Sequence, residues 1–221
     1  MNKCVYCGSK DNLTKEHIPP KSIFSKPRPS NLITVPACKS CNNGLSEMDE
    51  YFRFFLTIEY MSGSTTYANE NSDKVMRGLN RPEKSTFVKQ LSNIMVPCII
   101  KNPLTGVVEE SSYFCPDSEL MNSRVRDIVK GLFFHHTGKY CYERFLIIPH
   151  WLNYQLNDKW KEYFKHLDNV NWNYIGGSVF IPVFSYKYYI VDGGNYSWWL
   201  LEFFKHQRFS VIMRRKFDVE I

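Results

Sequence analysis

The sequence predicts an α+β fold in which an N-terminal strand, strand and helix are stapled by cysteines and followed by a larger module of helices and antiparallel strands. Three observations predict it. Two Cys-x2-Cys pairs, Cys4 with Cys7 and Cys38 with Cys41, bracket the first forty residues. After Cys41, apolar residues recur at intervals of three and four, the period of an amphipathic helix. Beyond residue 74, runs of β-branched and aromatic residues alternate with helical patterns and turn signals. The expected boundaries are 1–60 for the first module and 74–221 for the second.

The elements follow in order. Leu13 to Ile18 reads as a strand. Leu32-Ile33-Thr34-Val35 reads as a second one that Pro36 ends. Leu45, Met48, Tyr51, Phe52, Phe55 and Leu56 then share one face of a helix. The polar, small residues 62–73 read as a linker or surface loop. A short helical stretch is expected between Lys74 and Ser92. Ile94–Ile100 and Val107–Phe114 flank Pro103-Leu104-Thr105-Gly106, a hairpin signal. Asp117 and Ser118 can cap a helix whose buried face is expected to hold Leu120, Val125, Ile128, Val129, Leu132 and Phe133, and which ends at Gly138. Strand-like runs follow at Tyr142–Ile148, Val179–Phe184, Trp198–Phe204 and Phe209–Arg214, the last two forming a hairpin.

Composition removes several functional classes. No apolar run in the 221 residues reaches the ~18 that a membrane span needs. Met1-Asn2-Lys3-Cys4 leads straight into a cysteine pair without a hydrophobic signal region, so a reducing cytoplasm is expected. In such a compartment seven cysteines read as metal ligands or core thiols rather than disulfides. Cys98, Cys115 and Cys141, in apolar surroundings, are expected to be buried free thiols. The formal net charge of +6 suits a polyanion without demanding one, and residues 121–165 carry eight cations against four anions. Arg124, Arg126 and Lys130, with Arg214-Arg215-Lys216, are the best positive clusters for a phosphate backbone, though each could equally be a solvated face. His135-His136, at a helix C-terminus, is expected to favour imidazolium through the helix dipole. Trp198-Trp199 is expected to pack within a strand.

Cys4, Cys7, Cys38 and Cys41 present four sulfurs in two knuckles, the donor set of a closed structural zinc site. The spacer between the knuckles exceeds the ~15–20 residues of a plain zinc ribbon. Its surplus holds Glu16-His17 and Asn31, the residue types of hydrolytic chemistry. A neutral imidazole near its usual pKa can take a proton from water at physiological pH. A carboxylate with an amide oxygen suits a Mg²⁺ ion that keeps several waters and shares the substrate's phosphate.

Taken together, Cys-Val-Tyr-Cys-Gly, Leu-Thr-Lys-Glu-His-Ile-Pro-Pro-Lys-Ser, Ser-Asn-Leu-Ile-Thr-Val and Cys-Lys-Ser-Cys-Asn-Asn resemble the zinc-stapled HNH endonucleases of the ββα-metal class. The resemblance covers about the first 55 residues. It implies a β-hairpin and helix gripping one divalent cation, Mg²⁺ or Mn²⁺, beside the structural Zn²⁺, and metal-dependent cleavage of phosphodiester bonds, usually of DNA, with RNA left open. By position it implies His17 as general base, Glu16 as acidic metal ligand, Asn31 as brace of the loop bearing the base, and Asn42 as final metal ligand with Asn43 as fallback. The lysine often found after the last Cys-Asn is absent, which leaves Lys21, Lys39 and Arg53 as candidates for the phosphate contact. Glu47, Asp49 or Glu50 could add a ligand or simply favour the helix dipole. Family analogy also implies phage defence and a protein partner such as an ATPase. The alternative is a non-catalytic zinc-stapled adaptor for nucleic acid or protein.

Overall fold

Strand β1 (Leu13–Ile18) pairs antiparallel with β2 (Ile33–Cys38), so that Leu13 faces Cys38 at one end and His17 faces Thr34 near the other. The computed structural model describes residues 3–61, 75–101, 105–142, 144–152, 173–175, 183–205 and 207–216. Pro36 does not end the second strand. It lies inside β2 opposite Lys15, where a two-stranded ladder tolerates a missing N–H, and its carbonyl accepts a bond from Val5 N at 3.0 Å. Helix α1 (Lys39–Met61) starts directly after β2, so Cys41, Asn42 and Asn43 lie within its first turns.

Beyond α1, a short helix α2 (Ser85–Asn93) leads into a hairpin of β3 (Met95–Lys101) and β4 (Val108–Phe114). Helix α3 (Ser118–Thr137) begins as its sequence signals dictate. The Asp117 carboxylate accepts from Glu119 N and Leu120 N, and the helix ends on Gly138 in the left-handed region, φ 66°. Strands β5 (Phe145–Leu152), β6 (Asn173–Ile175), β7 (Phe184–Val191), β8 (Tyr196–Phe203) and β9 (Gln207–Arg215) form an antiparallel sheet in the order β5-β9-β8-β7-β6. The expected β8–β9 hairpin is present. The strand expected at Val179–Phe184 falls mostly outside the described residues, and the described strand begins at its last residue and runs from Phe184 to Val191.

One apolar cluster runs through the segments expected as two modules: Val5, Ile18 and Phe52 belong to it together with Ile128, Trp199 and Phe209. Phe52 of α1 meets Phe203 of β8 edge-on, ring centroids 5.2 Å apart. Gly131 brings α3 against β1. A Cβ there would lie 2.6 Å from Ile18 Cγ1, a distance no packed methyl tolerates.

Several expectations about individual side chains need correction. Leu120 is exposed, and Met121 and Arg124 are buried on α3 instead. Of the three cysteines expected in the core, only Cys141 is buried; Cys98 is half-buried and Cys115 exposed. Burial pushes the Cys141 thiol up to about 12, as an inert core thiol requires. His136 is not an imidazolium. Burial and then the charge of His135 bring it down to about 4, and its ring bonds Tyr186 Oη at 3.0 Å and stacks on Tyr188. The dipole of α3 is outweighed by desolvation. Trp199 is fully buried and bonds Ser197 Oγ, as expected of strand packing.

Candidate functional site

The two knuckles meet. The sulfurs of Cys4, Cys7, Cys38 and Cys41 all lie within 4.8 Å of one another, with Cys7 Sγ and Cys38 Sγ 3.7 Å apart. Four thiolates at ~2.3 Å from a tetrahedral zinc stand about 3.8 Å from each other, so the residues fit the ion. Among the described residues no other group of three or more His, Cys, Asp or Glu side chains is close enough to share a cation.

Local backbone makes this geometry. Gly8, at φ 80°, lets the first knuckle turn back so that its N–H reaches Cys4 O at 3.0 Å. The start of α1 directs Cys41 N at Cys38 Sγ. Burial opposes ionisation of Cys4, but backbone N–H groups of Cys38, Cys7 and Tyr6 outweigh it and bring the thiol down to about 7. The Cys41 thiol is pushed up by burial and then by the neighbouring sulfurs, a crowding that a bound divalent cation relieves. The later chain braces the knuckle too: Tyr142 Oη donates to Cys4 O and Lys3 N donates to Tyr140 Oη, each at 3.1 Å.

Strand alternation sorts the residues of β1 between two faces. Thr14, Glu16 and Ile18 share the face covered by α1 and α3. Thr14 Oγ1 accepts from Asn42 Nδ2 at 2.8 Å and donates to Ala37 O. Glu16, 6% exposed, holds Arg124 Nη2 at 2.8 Å, while Arg124 Nε binds Asp49 Oδ1 of α1 at 2.6 Å. Arg124 is wholly buried, and one guanidinium from α3 therefore ties two acids of the N-terminal segment. Burial pushes the Glu16 carboxyl up against the pull of Arg124. It pushes Asp49 up to about 6, with Arg124 opposing and Glu16 adding. Burial alone would weaken the charge of Arg124, but Asp49, Tyr6 and Glu16 more than reverse this.

His17 lies on the opposite face of β1, half-buried. Burial lowers its pKa, and the charges of Lys21 and Arg28 lower it further, so its imidazole is neutral at physiological pH. Arg28 is fixed by a bond from its Nε to Lys21 O at 3.0 Å. Arg53 of α1 is near enough to feel Arg28, and its Nε is buried with no hydrogen-bond partner among the described residues. Asn31 and Asn43 are exposed, as is Lys39. Glu50 pairs with Lys84, and the side chain of Glu47 is outside the described residues. The site residues read from sequence thus fall into two groups, Glu16 and Asn42 on the helix-covered face and His17 among cations on the other.

Comparison with known families adds one match. Residues 4–56 match the HNH endonuclease family. The match begins at the first cysteine of the knuckle and ends in α1, spanning β1, β2, the four cysteines, and Glu16, His17, Asn31, Asn42 and Asn43. Curated proteins and solved structures provide no match to the chain. Arg124, Asp49 as its partner, and Arg28 beside His17 escaped sequence reasoning as parts of this site. Arg124 lies 108 residues from Glu16, and only its place on the apolar face of α3, between Met121 and Val125, hinted at burial.

Proposed function

We propose that this HNH-like unit is a metal-dependent endonuclease hydrolysing the phosphodiester bonds of DNA, with His17 as general base. The observation that carries the reading is the family match laid over a hairpin and helix on which a neutral His17 is set among cations. Lys21, Arg28 and Arg53 supply the positive field that a scissile phosphate needs, and Arg28 and Arg53 can bind it through paired N–H groups. Glu16 and Asn42 are the proposed ligands of Mg²⁺ or Mn²⁺, with Asn43 as fallback and Asn31 as brace of the loop. When bound, such a cation stabilises charge on the phosphate and the leaving oxygen. Four cysteines gathered for zinc rather than paired as disulfides suit a reducing, cytoplasmic setting.

One observation favours a second reading, a zinc-stapled adaptor without catalysis: Glu16 is sealed beneath Arg124 on the face of β1 away from His17. Plasmid cleavage by the full chain with Mg²⁺, Mn²⁺ or chelator, wild type against His17→Ala, decides between them. The nuclease reading expects divalent-dependent cleavage that falls at least ~100-fold on losing the base. Equal cleavage by the two proteins sinks His17 as base, and no cleavage with any cation favours the adaptor.

A further inference from the structure

A cleft of about 1350 Å³ opens beside the zinc knuckle at Cys7, away from the His17 end of β1. Its walls come from the knuckle, the outer face of α3, the start of β5, the turn before β8 and the end of β9. Among the described residues six cations line it, Arg126, Lys130, Lys139, Arg144, Arg215 and Lys216, and no acidic side chain does. Two of the basic clusters visible in the sequence therefore converge here from positions about ninety residues apart. Two members of those clusters do not line it: Arg214, and Arg124, which is buried and committed to Glu16 and Asp49.

The cations differ in availability. Arg126 pairs with Glu119, Lys130 with Asp127, and Lys139 donates to Gly193 O. Arg144, Arg215 and Lys216 are exposed and have no acidic partner among the described residues. Main-chain bonds hold those three in place, Lys216 N to Arg144 O and Arg215 N to Asn195 O, each at 2.7 Å. Like charges gathered on a fixed frame repel one another unless an anion joins them. The cleft far exceeds the volume of a single phosphate, and its charges are spread over several elements, which suits a chain of phosphates.

We infer that this cleft binds the sugar-phosphate backbone of a nucleic acid, as a docking site separate from the residues around His17. The choice of nucleic acid over an acidic peptide rests on the nuclease reading of residues 4–56. Four residues of β1 separate the zinc end at Leu13 from His17, ~13 Å at strand rise, or about four base-pair steps of duplex. A backbone seated in the cleft therefore extends the footprint beyond the hairpin.

The test is fluorescence anisotropy of the zinc-loaded full chain with a labelled 20-base-pair duplex at 50–200 mM salt, without added Mg²⁺ or Mn²⁺, so that cleavage plays no part. The cleft variant carries Arg144→Ala, Arg215→Ala and Lys216→Ala. A control variant with the same charge loss carries Arg81→Ala, Lys89→Ala and Lys101→Ala, all exposed and outside the cleft. The cleft variant is expected to lose at least tenfold in affinity at 100 mM salt and ~2–3 in the log–log salt slope, while the control changes less than threefold. Equal losses in the two variants overturn the proposal, since they report only net charge. So does a polyglutamate peptide that displaces the duplex as well as unlabelled DNA, or millimolar inorganic phosphate that does so at constant ionic strength. Lost cleavage with intact, cleft-dependent binding would instead count against the nuclease reading alone.

Discussion

Replacing Arg124 with methionine keeps the length and apolar stem of the side chain and deletes the charge that Glu16 and Asp49 share. The Arg124 side chain has no solvent exposure, and the side chains of Glu16 and Asp49 retain 8% and 21%. Glu16 would keep a charge with almost no water to solvate it, while Asp49 could rehydrate in part. Removing one partner of a buried ion pair costs about 3–5 kcal/mol, because the stranded charge and not the lost bond sets the penalty. At the ~2–4 °C per kcal/mol of a chain this size, the thermal midpoint of Arg124→Met should fall by roughly 6–20 °C. Adding Glu16→Gln and Asp49→Asn removes the stranded charges and should restore much of the loss, although each single variant is itself destabilising. Thermal and urea unfolding followed by far-ultraviolet circular dichroism measure these. A loss below about 1 kcal/mol for Arg124→Met, or a triple variant less stable than Arg124→Met alone, would refute this account of the buried triad.

Three further outcomes are expected. The purified chain should hold one zinc, and Cys38→Ser should lose it. The loss removes binding free energy on the order of 10 kcal/mol, so hydrogen exchange should quicken first in β1 and β2 while β8 and β9 keep their protection; uniform quickening would contradict this. Gly131→Ala gains ~1 kcal/mol of helix propensity but drives a methyl into Ile18, for a net loss of about 1–2 kcal/mol in urea; a more stable variant would show that β1 can give way. His136 titrates near 4 in the fold and near 6.5 unfolded, so the unfolded chain binds the extra proton between those values. Its contribution is complete above pH 6.5 and is lost as pH falls toward 4. The full shift corresponds to ~3 kcal/mol, and discounting for a half-buried ring leaves about 1–2. His136→Gln should flatten the rise of urea midpoint with pH by that amount relative to wild type.

What the sequence made legible was local. The four zinc ligands follow from spacing alone, because two knuckles with the right bite leave few alternatives. Asp117 and Gly138 announced the ends of α3 because caps act on backbone within three residues. The failures were tertiary. Leu120 and Met121 are neighbours on a helix, and only the position of β1 and α1 decides which faces inward. His136 sits where a dipole favours its charge, but Tyr186 and Tyr188 arrive from a strand fifty residues later and desolvate it. Glu16 was legible as an important acid, whereas its guanidinium partner was not, since nothing local links Glu16 to Arg124. Asp49 read as an acid of the early helix, where dipole stabilisation is a sufficient explanation until Arg124 is seen beside it.

The core shared by β1, α1 and α3 also bears on how the chain is made. Synthesis proceeds at ~5–20 residues per second, so about 4–15 s separate the completion of α1 at Met61 from that of α3 at Thr137. During that interval the hairpin and first helix exist without Gly131 to seat Ile18 or Arg124 to neutralise Glu16 and Asp49. Zinc can close the knuckle early, because all four thiols have been made by residue 41. The helix-covered face of β1 is completed only when α3 has emerged, so the zinc knuckle and the Glu16–Arg124–Asp49 triad are assembled at different stages of synthesis.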